Sequence, residues 1–143
     1  MKLVETKNFE KSSTIHEEIF SSIGQTKKDF REKAPLLEGV ILKELILNEI
    51  CIGYILYRHE KNSNELKLLW MGVIDKYRGG GAGRFLLDDA IKYARVKKCK
   101  YVRVVTRDRF KSALKLYKAL GFETEDILED EISRKYLLVL KLL

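Results

Sequence analysis

The chain has 143 residues, 45% of them hydrophobic and 34% charged, with a formal net charge of +7. That balance fits one domain with a real apolar core and excludes a disordered chain. No apolar run approaches the roughly 20 residues that span a bilayer, so no membrane partner is expected. Met1-Lys2-Leu3-Val4-Glu5 does not open like a signal peptide. Two cysteines, Cys51 and Cys99, make no disulfide framework, which points to a reducing, cytoplasmic setting. His16 and His59 have no partners at metal-ligand spacing, so no metal site is expected.

Leu3-Val4 opens a short strand. Ser12 or Ser13 is placed to cap a helix running to about residue 22, with Ile15, Ile19, Phe20 and Ile23 on its apolar face. Branched apolar residues over 40–47 and 50–58, separated by Asn48-Glu49, predict a hairpin. After the polar turn Lys61-Asn62-Ser63-Asn64, residues 65–73 read as a third strand, apolar after Lys67 and therefore buried on both faces. A glycine-rich loop follows, then a helix over about 83–96 with Leu87, Ala90, Ile91 and Ala94 along one stripe. Residues 101–105 form a strand. A second striped helix, 111–120, carries Ala113, Leu116, Tyr117 and Leu120 and stops at Gly121. Strands near 124–128 and 135–140 complete the chain. Hairpins first, then strand–helix–strand–helix, predict an α/β (α+β) fold with helices on a mixed central sheet.

The strand–glycine loop–helix passage carries the chemistry. Glycine permits positive φ and close approach of a ligand to the backbone. The free N–H groups at the start of the next helix, with the helix dipole, favour an anion such as pyrophosphate. Two common phosphate motifs do not fit. Arg84-Phe85 stands where a P-loop needs Lys-Ser/Thr. The spacing of Gly79, Gly80, Gly81 and Gly83, and a next strand ending Val104-Val105-Thr106-Arg107, miss the dinucleotide fingerprint and its acidic residue.

Arg78-Gly79-Gly80-Gly81-Ala82-Gly83 matches Arg/Gln-x-x-Gly-x-Gly/Ala, the signature of the GNAT superfamily of acyl-CoA-dependent N-acetyltransferases. Met71 to Arg78 resembles that family's strand end and turn. Ala113-Leu114-Lys115-Leu116-Tyr117-Lys118-Ala119-Leu120-Gly121-Phe122 resembles its second motif, so the likeness is specific over about 66–122. The resemblance implies a single N-acetyltransferase domain over 1–143. Acetyl-CoA would be the acyl donor, and a primary amine of a small molecule or peptide would attack it directly. It also implies that pyrophosphate lies on Gly79, Gly80, Gly81, Ala82 and Gly83, flanked by Arg78 and Arg84. The pantetheine arm would run along Met71, Gly72 and Val73. Tyr117 matches the family's tyrosine, which protonates the departing thiolate.

Two departures stand out. Phe110 occupies a position where the family often has Asn, and Lys67 one where many members have Glu. Glu65, two residues earlier on the same strand face, becomes the candidate base, with water or an N-terminal residue as alternatives. These departures keep open a catalytically silent CoA-binding sensor. The basic run from Lys92 to Lys118 keeps open a nucleic-acid-binding module, which is disfavoured because it leaves the glycine loop unexplained. A homodimer is compatible with all three. Finally, Glu123, Glu125, Asp126, Glu129, Asp130 and Glu131 form an acidic run next to the basic one. It is expected either to be solvated or to attract a cationic acceptor such as a polyamine.

Overall fold

A computed structural model describes residues 1–142. Strand β1 (Lys2–Thr6) leads into helix α1 (Glu10–Phe20), a 3-10 turn, and helix α2 (Lys27–Lys33). Strands β2 (Val40–Leu47), β3 (Ile50–Arg58) and β4 (Glu65–Val73) follow, then helix α3 (Ala82–Val96) and strand β5 (Tyr101–Arg107). Helix α4 (Lys111–Ala119) and strands β6 (Glu123–Glu129) and β7 (Arg134–Lys141) end the chain. The seven strands form one sheet in the order β1-β2-β3-β4-β5-β7-β6. Every neighbouring pair is antiparallel except β4–β5, which is parallel and crosses over through α3. This is the mixed sheet flanked by helices that the element order predicts.

The two sheet faces are covered differently. α3 and α4 bury Leu86, Leu87, Ala90, Ala94 and Tyr117 against Leu66, Leu68, Val102, Val104 and Leu138. α1 and α2 bury Phe9, Ile15 and Phe30 against Leu42, Tyr54 and Leu56. The apolar stripes of α3 and α4 explain the first layer; the hairpin β2–β3 supplies inward residues to both.

The N-terminal segment departs from expectation. α1 starts at Glu10, before both serines, and Asn8 Oδ1 accepts the Glu10 N–H at 3.0 Å. Ser12 and Ser13 are buried inside the helix instead of capping it. Ser12 Oγ donates to Glu44 Oε2 at 2.7 Å, and Ser13 Oγ donates to the Glu10 carbonyl at 2.6 Å. α2 has no counterpart in the sequence reading, because it is short and buries only Phe30. Its start is nevertheless capped, with Thr26 Oγ1 accepting the Asp29 N–H at 3.1 Å.

Candidate active site

The parallel ladder between β4 and β5 runs only from Glu65↔Tyr101 to Leu68↔Val104. Beyond Leu68 the strands part. β4 stays on β3 to Gly53↔Val73, and β5 stays on β7 to Arg107↔Lys135. A bulge marks the parting: Tyr57 faces Leu68 and Leu56 faces Trp70, so Leu69 has no partner on β3. A bulge bends its strand and increases local twist, here at the point where β4 leaves β5. The gap between the carboxyl ends of the two strands opens into a cavity of about 900 Å³. Open sheets generally bind ligands at that end.

The glycine loop forms one end of the cavity. Arg78 Nε donates to the Val73 carbonyl at 3.0 Å, fastening the loop to the end of β4. Gly79 and Gly81 sit at φ +84° and +83°, and a Cβ at either would meet no atom within 4 Å. The conformation therefore demands glycine, while the protein itself leaves the space above the loop open. Gly81 precedes the first turn of α3, whose first helical bond is Phe85 N–H to Gly81 carbonyl at 2.9 Å. The N–H groups of Ala82, Gly83 and Arg84 therefore have no helical acceptor. Arg78, Gly79, Gly81, Ala82, Gly83 and Arg84 all line the cavity; Gly80 belongs to the loop but not to the lining. Gly83 has a second constraint, because a Cβ there would lie 3.4 Å from Leu116 of α4.

Met71, Gly72 and Val73 line the side formed by β4. Leu69, Trp70 and Met71 are only half-buried because they face the cavity, so β4 is not buried on both faces throughout. Gly72 brings α1 and β3 close to this strand. A Cβ there would stand 2.6 Å from Ile19 Cδ1 and 2.9 Å from Tyr54 Cε1. Tyr117 faces the cavity from α4 and its ring packs on Phe122, with centroids 5.4 Å apart. Its phenol is almost wholly buried, and burial pushes its pKa well above the ordinary value. It is protonated at neutral pH, so a phenolic O–H faces the cavity. Arg109 and Lys111 line the cavity at the start of α4 and make no ion pair among the described residues.

Glu65 does not reach this site. It begins β4, at the end where the strand is still paired with β5, and does not line the cavity. Its carboxylate is engaged by the Arg103 guanidinium and by Lys67, 3.8 Å away. The position that matched on strand spacing lies on the closed side of the ladder, away from the cavity.

The acidic run is also misplaced for an acceptor site. It forms β6, the outer strand, and the loop after it, and Glu125, Glu129 and Asp130 are paired locally. Asp130 receives two bonds of 2.9 Å from Arg107 and lies 3.3 Å from Lys135. Arg107 holds the Asp130 carboxyl well below the usual carboxylate range. Glu125 pairs with Arg103 and Glu129 with Arg134, each at 3.0 Å. No Asp or Glu lines the cavity among the described residues, whereas Arg78, Arg84, Arg107, Arg109, Lys111 and Lys135 do.

Sequence reasoning missed the opposite wall. Ile19, Phe20, Ile23 and Gln25, from α1 and the turn after it, face Trp70 and Phe110. The Phe20 ring lies 4.8 Å from Trp70 and 5.2 Å from Phe110, joining three separate chain segments.

The profile of the acetyltransferase (GNAT) family matches residues 7–122. The chain belongs to that family. Strands β6 and β7 lie beyond the matched span and complete the sheet. Among curated proteins, none matches the sequence significantly. Solved structures resemble the whole fold. The ribosomal-protein-S18-alanine N-acetyltransferase from Escherichia coli has a TM-score of 0.82 at 18% identity, covering 98% of this chain and 92% of that one. Arabidopsis thaliana NAA60, in complex with a bisubstrate analogue, has a TM-score of 0.77 at 18% identity, covering 99% of both chains. Arabidopsis thaliana Naa50, in complex with the bisubstrate analogue CoA-Ac-MVNAL, has a TM-score of 0.76 at 22% identity, again covering 99% of both. At these identities the likeness speaks for the fold.

Proposed function

We propose that this chain is a single-domain N-acetyltransferase over residues 1–143. It moves the acetyl group of acetyl-CoA to a primary amine by direct attack. One observation carries the reading. The strands β4 and β5 part over a cavity that has the Gly79–Gly83 N–H cradle at one end and the Tyr117 phenol on its wall. Solved members of this fold bound to CoA, such as the PaiA N-acetyltransferase from Thermoplasma acidophilum, support the choice of donor.

The cradle residues hold the pyrophosphate with N–H groups and the positive end of the α3 dipole. Arg109 and Lys111 add positive charge for the remaining phosphate. Met71-Gly72-Val73, which lacks a partner on the β5 side, offers strand-like backbone bonds to the amides of the pantetheine arm. The thioester then lies between β4 and Tyr117. The amine nitrogen forms a bond to the thioester carbonyl carbon, the C–S bond breaks, and its electron pair stays on sulfur. The Tyr117 O–H gives its proton to that sulfur and regains one from solvent when CoA leaves. With no carboxylate lining the cavity, the proton lost by the amine passes to water. Phe110 replaces a polar contact with an aromatic one and leaves this scheme intact.

The test is release of the CoA thiol from acetyl-CoA, followed with and without amines: small primary amines, amino acids and peptides with free or blocked N-termini. Acceptor-dependent release supports the reading. Tight acetyl-CoA binding with no release on any acceptor would instead identify a silent sensor.

A further inference from the structure

The acceptor wall contains one neutral hydrogen-bonding side chain whose orientation the fold fixes. Gln25 follows the end of α1, where its N–H bonds the Phe20 carbonyl at 3.2 Å and Gly24 turns at φ +89°. Its Oε1 lies 2.9 Å from Nε2 of His16, and Nδ1 of His16 lies 2.6 Å from the Tyr54 hydroxyl. His16 and Tyr54 are fully buried, with the imidazole among the rings of Phe20, Phe30 and Trp70.

The orientation of the Gln25 amide, with Oε1 toward His16, sets the tautomer. An amide oxygen only accepts, so the imidazole N–H is on Nε2 and points to Gln25. Nδ1 then carries a lone pair and accepts the Tyr54 O–H. Burial also lowers the His16 pKa, which keeps the ring neutral at physiological pH. With its oxygen held by His16, Gln25 keeps its NH₂ as a donor, and that group has no protein acceptor among the described residues. Gln25 lines the cavity beside Phe20 and opposite Phe110.

We propose that Gln25 is the specificity-determining residue for the acceptor, donating its amide N–H to a carbonyl or carboxylate oxygen on the amine-bearing carbon. The acceptor class that follows is an α-aminoacyl unit with an apolar side chain seated against Phe20, Trp70 and Phe110. This deepens the acetyl-transfer reading and rests on it. The charge of the cavity agrees. Its lining has cations and no carboxylate, so nothing stabilises an ammonium. An α-amine, with a pKa near 8, gives up its proton far more readily than a side-chain or polyamine nitrogen near 10.4. The difference is on the order of several hundredfold in free amine at neutral pH. A polyamine is disfavoured on both counts.

The experiment compares phenylalaninamide with phenethylamine, which differ only by the carboxamide on the amine-bearing carbon. Free phenylalanine, a peptide beginning with phenylalanine, and spermidine are added as further acceptors. Wild type should show kcat/KM for phenylalaninamide roughly tenfold or more above phenethylamine. Gln25→Ala should lower that ratio roughly tenfold, chiefly through KM, while the part set by the lower basicity of the α-amine stays the same in both proteins. Tyr54→Phe, which frees Nδ1 and so unlocks the tautomer, should lower the ratio while the ring stays in place. The peptide and free phenylalanine distinguish a carbonyl from a carboxylate as the oxygen read. An unchanged ratio in Gln25→Ala, or a preference for spermidine, overturns the proposal while leaving acetyl transfer standing. Acetyl-CoA binding measured on the same protein separates the other failure: binding without acetylation of any acceptor overturns the acetyl-transfer reading and this proposal with it.

Discussion

Gly81→Ala separates the two roles of a glycine in the cradle. Its φ of +83° makes any Cβ costly, by roughly 1–2 kcal/mol for a left-handed residue. No protein atom lies within 4 Å of where the new methyl would sit, so no packing clash adds to this cost. Gly121 gives a matched control. Its φ is +98°, and a Cβ there would make only an ordinary 3.5 Å contact with Leu140 of β7. Both variants should lose about the same stability, lowering Tm by roughly 3–10 °C for a domain of this size. Acetyl-CoA affinity should separate them. A methyl at Gly81 enters the space over the loop N–H groups and costs at least one charge-assisted hydrogen bond. That is about 1.5–3 kcal/mol, or a roughly ten- to hundredfold rise in Kd. Calorimetric titration with acetyl-CoA alongside thermal unfolding reads both quantities. If Gly81→Ala and Gly121→Ala bind acetyl-CoA within twofold of each other, the loop is not the pyrophosphate cradle.

Other variants address the reacting groups and the buried histidine. Tyr117→Phe removes one hydroxyl that has no side-chain hydrogen bond among the described residues, so Tm should hold while kcat falls roughly 10²–10⁴-fold; an unchanged kcat would leave Tyr117 a packing residue. Glu65→Gln should keep kcat within about twofold of wild type, because general acid–base roles are worth about 10²-fold or more; a larger loss would return Glu65 to the mechanism. The lowered pKa of His16 predicts a pH-dependent stability. Above the ordinary value of 6.5 its contribution is complete; as pH falls below that, the unfolded chain takes up a proton that the folded chain refuses. Stability therefore drops by up to about 1.4 kcal/mol per pH unit until the folded pKa is reached. Chemical denaturation of wild type and His16→Gln between about pH 7.5 and 5 checks this, since the slope should be shallower in the variant.

What is legible in the sequence and what is not have physical reasons. The stripe of α3, the stripe of α4 and the glycine loop are local patterns, each carried by residues within one element, and the loop and Tyr117 they mark both line the cavity. Helix α2 leaves almost no periodic signal because Phe30 alone is buried, although Thr26 and Asp29 mark its capped start. Ser12 and Ser13 resemble caps because nothing local announces Glu44, the distant partner that holds Ser12 inside. Strand parity gives the face on which Glu65 stands but not how far along β4 the neighbouring strand departs. The acidic run looks free because its partners Arg103, Arg107 and Arg134 lie on β5 and β7. The acceptor wall is unreadable for the same reason. Phe20, Gln25, Trp70 and Phe110 meet only when α1, β4 and the start of α4 come together around the cavity.

The most direct test of acetyl transfer follows the acetyl carbon itself. Acetyl-CoA labelled with carbon-13 in the acetyl group is incubated with the protein and a peptide beginning with phenylalanine, and the label is tracked by NMR and intact mass. The account predicts that the label moves to the peptide α-nitrogen as an amide, with one CoA thiol released for each amide formed. Label that stays in acetyl-CoA, appears only as acetate, or settles on the protein in place of the peptide would contradict it.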